Sequence, residues 1–327
     1  MKAAVFEDVK KMVYYEDYPK PTPGPDDVII KVHYCAICGT DVSNFKNKIY
    51  QTPLICGHEF SGEIVEVGEN IKDFKVGDKA AGVSVYGPIK YVKMKAIGVM
   101  IDGAFAEYVR IPKHFLFHAP ENVSPKECTA IETLAVVVRA LKNAKIEKNQ
   151  RIAIVGGGNI GLTTLLVLLS EWAPEYAIVI EPHEFLREKA KELGATEAFP
   201  PTKPKLNRFF KKMGEPTFIF ECAGNEQALN LSFDIIERGG TIVLESVYKG
   251  NISIPTFVLN VKEVALKGTL SHDRDDILDA IELLAKKKVD VSPLLSEVIP
   301  LKDIQKAFER FLEPGERKFV KILIDIA

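Results

Sequence analysis

Up to about residue 130 the chain is rich in short β-like apolar runs, Val28 to Val32, Gly62 to Val67 and Phe105 to Ile111, broken by Pro, Gly and Asp. This texture predicts an irregular, mainly β unit. From Arg151 the pattern changes to apolar runs alternating with helical stretches: RIAIV, AIVIE, TFIFE, TIVLE and later VALKG, with helix-like segments between the first four. Such alternation predicts a parallel sheet covered by helices on both faces. After Leu270 come two helix-like stretches, DDILDAIELLAKKK and LKDIQKAFERFLE, and a last strand-like run, KFVKILIDI. The chain carries no internal repeat and no low-complexity segment.

At 327 residues there is material for two domains with a cleft between them. Hydrophobic residues at 46% and charged residues at 27% describe a globular protein rather than a disordered one. With 43 basic against 45 acidic residues and no long Lys/Arg block, nothing marks a nucleic-acid binder. The N-terminal stretch MKAAVFEDVKKMVYYEDYPK lacks the apolar core of an export signal. Runs such as Leu165 to Leu169 are far shorter than the ~20 residues a membrane span needs. Five cysteines, thinly spread, suit a reducing compartment, so a cytoplasmic location is expected.

The run RIAIV leads straight into Gly156-Gly-Gly158-Asn159-Ile160-Gly161 and then the helical LTTLLVLL. This is G-x-G-x-x-G in the strand-turn-helix setting that dinucleotide binding requires. Gly156 allows the tight turn, Gly158 the approach of a pyrophosphate and Gly161 close helix packing, while the helix N-terminus offers free N–H groups. The next strand-like run ends in Glu181, twenty positions after Gly161, where an acid grips the adenosine ribose hydroxyls. The bland alternative is a glycine-rich turn with Glu181 as a solvated strand end; the full context favours cofactor binding. An acid at 181 repels the extra phosphate of NADP, which favours NAD, although His183, Arg187 and the basic stretch Lys203 to Lys212 leave NADP open.

The motif YCAICGTD, residues 34–41, holds Cys35-x-x-Cys38 and raises three readings: a redox pair, half of a zinc knuckle, or one metal ligand beside a bystander. A redox pair belongs at a helix start in a βαβ unit, and this one lies in the β-rich part. A knuckle needs a second ligand pair, and the chain has no other Cys-x-x-Cys.

Twenty residues after Cys38 comes Gly57-His58-Glu59, followed by Gly62, Val67-Gly68 and Val76-Gly77-Asp78. Together with Cys-Gly-Thr-Asp, this stretch resembles the zinc-dependent medium-chain alcohol and polyol dehydrogenases. The resemblance continues through GAFAEYVRIP, the glycine fingerprint, ECAGN and VALKGTL, covering essentially the whole chain. Residue by residue it implies Cys38 and His58 as catalytic zinc ligands, and Glu132, in CTAIETLAVVVRAL, as the ligand of the polyol and threonine dehydrogenase branch. It makes Glu59 an acid beside zinc that coordinates it in some members. Thiolate and imidazole favour zinc, and carboxylates can shift on and off as substrate and water exchange. Asp41 becomes the carboxylate that orients His58, and Thr40 the proton-relay hydroxyl. Cys35, Cys56, Cys128 and Cys222 fall outside the motif and read as core thiols. His33, His114, His118 and His272 stay unassigned. The bland alternative for Glu132 is a solvated helix glutamate; the ligand reading is preferred.

Many family members hold a second, structural zinc with four cysteines between the GD-x-V and AEYV segments; here that region has none. The structural site is expected to be absent, and Tyr86 to Met100 to form a loop bordering the substrate cleft. The implied fold is α/β, a GroES-like β-rich catalytic domain plus a Rossmann doubly wound coenzyme domain. The expected boundaries are 1–133, 134–270 and a C-terminal segment, 271–327, that returns to the catalytic domain. The implied activity is zinc-dependent oxidation of a secondary alcohol, a polyol before others, with one catalytic zinc per subunit and NAD as acceptor. Rival readings are an L-threonine or sugar dehydrogenase, a zinc-free quinone or enone reductase of the same fold, and a catalytically silent NAD-binding protein. A homodimer or homotetramer is expected.

Overall fold

The chain opens as a hairpin, β1 (Ala3–Asp8) with β2 (Lys11–Tyr15), in a computed structural model that describes residues 1–84, 96–248 and 250–326. Strand β3 (Asp27–Ala36) leads into helix α1 (Gly39–Asn47), and β4 (Glu59–Val67), β5 (Lys79–Gly82), β6 (Tyr108–Pro112) and β7 (Leu116–His118) follow. Short α2 (Pro125–Cys128) and long α3 (Ile131–Ala144) then carry the chain across to the next sheet.

There β8 (Arg151–Val155), α4 (Asn159–Glu171), β9 (Tyr176–Ile180), α5 (Glu184–Glu192), β10 (Glu197–Phe199) and α6 (Lys203–Met213) form the first half of a doubly wound unit. The second half is β11 (Phe218–Glu221), α7 (Glu226–Ile235), β12 (Thr241–Leu244), α8 (Thr256–Lys262) and β13 (Ala265–Gly268). Helix α9 (Arg274–Ala285), strand β14 (Leu295–Pro300), α10 (Ile304–Glu309) and β15 (Lys321–Asp325) complete the chain.

The six-stranded sheet is parallel throughout, in the order β10-β9-β8-β11-β12-β13. All five residues of β9, YAIVI, are buried, as expected of a strand covered by helices on both faces. The order reverses between β8 and β11, so a crevice opens at the C-terminal ends of those two strands. In the seven-stranded sheet, the last strand β15 lies antiparallel to β3, with Leu323 opposite Ala36 and Ile324 opposite Cys35. The chain's final strand thus joins the sheet that its first third began.

One apolar core runs through the β-rich unit and on under α3 and α4, and a smaller one fills the opposite face of the parallel sheet around Ala153, Ile178, Ile219 and Ile242. Helix α3 buries Ile131, Leu134, Val137, Val138 and Leu141, the apolar stripe that its period predicts.

All three expected runs differ in extent, and the first, Val28 to Val32, lies inside the longer β3. The strand read as Gly62 to Val67 starts at Glu59, because Phe60 and Ser61 already pair with β3. Phe105 and Ala106 precede β6; Ala106 bridges Ala3 and the Phe105 carbonyl accepts the Ala4 N–H. Of the expected loop from Tyr86 to Met100, residues 86–95 lie outside the described residues. Gly98 packs so tightly on the turn before His58 that a Cβ there would sit 2.5 Å from the Gly57 carbonyl oxygen. Among the described residues no helix is long and apolar enough to cross a membrane.

Candidate metal centre and cofactor crevice

Cys38 caps the N-terminus of α1 in an extended conformation, and its N–H donates to Asp41 Oδ2 at 3.0 Å. The order Cys-Gly-Thr-Asp therefore serves a local purpose: the acid three residues on satisfies the cap and is pulled into the interior. Asp41 is buried, and its other oxygen, Oδ1, lies 3.6 Å from His58 Nδ1; neither atom has a hydrogen-bond partner. Burial holds the Asp41 carboxyl above its ordinary range although His58 draws it down. Burial acts to lower His58, but the facing Asp41 and the Cys38 sulfur outweigh it and hold the imidazole well above its usual value. The turn into His58 needs Gly57, whose φ is +93° and whose Cβ would meet Cys35 Sγ at 2.8 Å and the Phe105 ring at 3.0 Å.

Glu59, the first residue of β4, is buried, with Oε2 2.5 Å from Nζ of Lys321, the equally buried first residue of β15. The ligand atoms of Cys38, His58 and Glu59 all lie within 4.8 Å of one another. Glu132, in the first turn of α3, stands outside this trio among the described residues. Its Oε1 is 3.4 Å from Nε2 of His272, a fully buried histidine whose ring nitrogens make no hydrogen bond. The two carboxyls titrate as a pair: burial and Glu132 hold Glu59 up despite Lys321, while against burial His272 pulls Glu132 down.

Burying an imidazole and a carboxyl beside a half-buried thiol, with His58 Nδ1 unpartnered, is costly unless a cation joins them. The donor types are those zinc takes, so the pocket fits that ion. Thr40, half-buried, lies two residues beyond Cys38 in the same turn. The remaining thiols are apart from the trio: Cys35 is in the β3 core, Cys56 faces Asn44, Cys128 faces the Val123 carbonyl and Cys222 faces Glu245.

Sequence reasoning missed Lys321 and left His272 unassigned. The one available signal for Lys321 was a cation interrupting the apolar run KFVKILIDI. His272 left none, because it reaches Glu132 across 140 residues of chain.

In the crevice, Gly156 (φ +106°) turns the chain out of β8, and a Cβ on Gly161 would lie 1.9 Å from the Gly156 carbonyl oxygen. Gly158 caps α4 in an extended conformation, and a Cβ there would meet nothing within 4 Å, so the space above it is open to a ligand. Asn159 Nδ2 lies 3.4 Å from Thr133 Oγ1, tying α4 to the helix that bears Glu132, and Ile160 follows it in the first turn of α4. Glu181 is buried, not a solvated strand end: it accepts the Gly157 N–H at 2.8 Å and the His183 N–H at 3.0 Å. Arg187 donates to the Glu181 carbonyl.

The family described as alcohol dehydrogenase GroES-like domain matches residues 24–121, and that described as zinc-binding dehydrogenase matches residues 160–286. Human sorbitol dehydrogenase is 28% identical over 319 residues, 90% of this chain and 88% of its own. The D-xylulose reductase of Saccharomyces cerevisiae is 29% identical over 310 residues, 87% of this chain and 86% of its own. Among solved structures, 2R,3R-butanediol dehydrogenase from Bacillus subtilis superposes with a TM-score of 0.90 at 26% identity, over 100% of this chain and 99% of its own. A chain from Sinorhizobium meliloti 1021, solved bound to NADP, does so at 0.90 and 26%, over 99% and 98%.

Proposed function

Because the chain belongs to the zinc-dependent medium-chain dehydrogenase/reductase family, its activity is that of an alcohol or polyol dehydrogenase with a nicotinamide cofactor, and we propose how its residues perform it. The substrate is a secondary alcohol, a polyol before others, and the cofactor is NAD. Cys38, His58 and Glu59 would hold one zinc, with Glu132, facing His272, as the further carboxylate of the ligand set. The observation that carries this reading is the mutual approach of the three ligand atoms, two of them on buried residues and one on the half-buried Cys38.

Zinc bound there supplies Lewis acidity that lowers the pKa of an alcohol oxygen, and the nicotinamide supplies the hydride acceptor. Asp41 holds the His58 ring in place. The Thr40 hydroxyl takes the alcohol proton at Oγ1 and passes it outward. Lys321 keeps the charge of Glu59 balanced inside the pocket. Gly156, Gly158 and Gly161, with the α4 N-terminus, receive the pyrophosphate, and Glu181 takes the adenosine ribose while bracing the Gly157 turn.

Residues 1–133 with 271–327 form the catalytic unit, residues 134–270 the cofactor unit, and the chain works as a homo-oligomer. The deciding experiment is metal content of protein purified without added metal, beside Cys38→Ala and a screen of polyols, L-threonine and sugars with NAD and NADP. One zinc per chain, lost in the variant together with turnover but not with NADH binding, is expected. Metal-replete protein that holds no zinc would overturn the ligand set and return the zinc-free reductase.

A further inference from the structure

The proposed mechanism leaves three buried acids unused, Glu221, Glu245 and Asp276, of which Glu245 has the fewest partners. Glu245, one residue past the end of β12, is 6% exposed. One carboxyl oxygen, Oε2, accepts the Thr164 hydroxyl of α4 at 2.9 Å and the Cys222 thiol at the end of β11 at 3.1 Å. The other, Oε1, is buried with no partner. Its neighbour Glu221, at the end of β11, is served very differently: the Ala223 and Gly224 N–H groups and the Ser246 and Tyr248 hydroxyls all donate to it. Four donors converge on Glu221, whereas Glu245 has two donors on one oxygen and none on the other.

Its position gives that imbalance a use. Thr164 lies three residues beyond Gly161 on the fingerprint helix, and Cys222 abuts the fingerprint turn, its carbonyl carbon 3.0 Å from where a Gly156 Cβ would sit. Glu181 marks the adenosine end of the crevice at β9, and the phosphates belong over β8. The nicotinamide half therefore extends across the switch point toward β11 and β12, where Glu245 sits. Resting on the nicotinamide reading above, we propose that Glu245 distinguishes oxidised from reduced cofactor by charge: it is ionised beneath the cationic ring of NAD+ and protonated beneath the neutral ring of NADH.

Burial places its titration at about 7, where such a difference is felt. The titratable groups acting on it are the Cys222 thiol and the Glu221 carboxylate; α4 contributes only the Thr164 hydroxyl. Because a cation favours the carboxylate and the carboxylate favours the cation, the effect is reciprocal. NAD+ binding releases a proton near neutrality and tightens as pH rises; NADH binding does neither.

The test is dissociation constants of NAD+ and NADH from pH 6 to 8 for the wild-type protein and Glu245→Gln, with calorimetry of the wild type in two buffers of different ionisation enthalpy. Unit charges about 10 Å apart at an effective dielectric constant of about 20 change an affinity by about tenfold. NAD+ affinity of the wild type should rise about that much across the range relative to Glu245→Gln, and NADH affinity should not. Equal slopes in the two proteins, or equal proton release with NAD+ and NADH, would overturn the proposal. Should the variant fail to fold, the wild-type proton release decides alone. A wild type that binds neither dinucleotide overturns the cofactor reading and this inference with it.

Discussion

Lys321 is the sole cation against Glu59 among the contacts that the described residues make with it, and both are buried. In metal-free protein Lys321→Met leaves an uncompensated acid inside, so the loss in urea-unfolding free energy at pH 7 should be about 3–5 kcal/mol. Adding Glu59→Gln should recover most of it; no recovery would mean that the pair is not what holds the site. Glu181→Ala should weaken binding of both cofactors, because the Gly157 N–H loses its acceptor, yet narrow the preference for NAD over NADP. A protein that already prefers NADP would refute that role.

Glu245 also bears on stability. Its folded pKa, about 7, lies above the ordinary 4.5, so the native state holds the proton longer than the unfolded chain. The contribution is complete below about 4.5 and is lost as pH rises through about 7, a span on the order of 3 kcal/mol. Glu245→Gln should remove this slope, so unfolding free energies of the two proteins should diverge in favour of the variant from pH 5 to pH 8.

At the scale of elements, α3 and α9 are clasped by charge across the join between the two sheets. Arg139 meets Asp273 and Asp276, and Lys142 meets Asp276 at 2.8 Å and Asp279 at 2.6 Å. Asp276 also accepts the Asp273 N–H at 2.8 Å, completing the cap of α9, and its side chain is 5% exposed. Against burial, Lys142, that N–H and Arg139 hold its carboxyl low. Asp276→Ala should therefore cost about 1–3 kcal/mol in thermal or urea unfolding. Asp279→Ala, at an exposed single pair, should cost less than about 0.5 kcal/mol. Equal costs would mean the cap and the bridge contribute nothing beyond surface charge.

For the whole molecule, β13 ends the parallel sheet with one side unpaired among the described strands, and on α8, the helix that leads into it, Phe257 is 79% exposed and Val261 58%. A bare edge next to exposed apolar side chains suits a second copy of the chain. Phe257→Glu should shift a dimer to monomer in light scattering; a wild type that is monomeric at micromolar concentration would sink the idea.

The alternating apolar runs determined the parallel sheet and its crevice, because strand and helix periods are local and side chains must face a core. The spacing of glycines and the Cys-Gly-Thr-Asp and Gly-His-Glu motifs determined which stretches carry chemistry, since turns and caps are satisfied within a few residues. What the sequence could not hold was pairing across long separations. That Lys321 meets Glu59, that His272 rather than the Cys38 trio meets Glu132, and that Thr164 and Cys222 converge on Glu245 are consequences of β15 joining β3 and of helices laid across strand ends. Only tertiary structure decides these, because burial removes the water that would otherwise partner each charge, and the partner then comes from whichever element packs there.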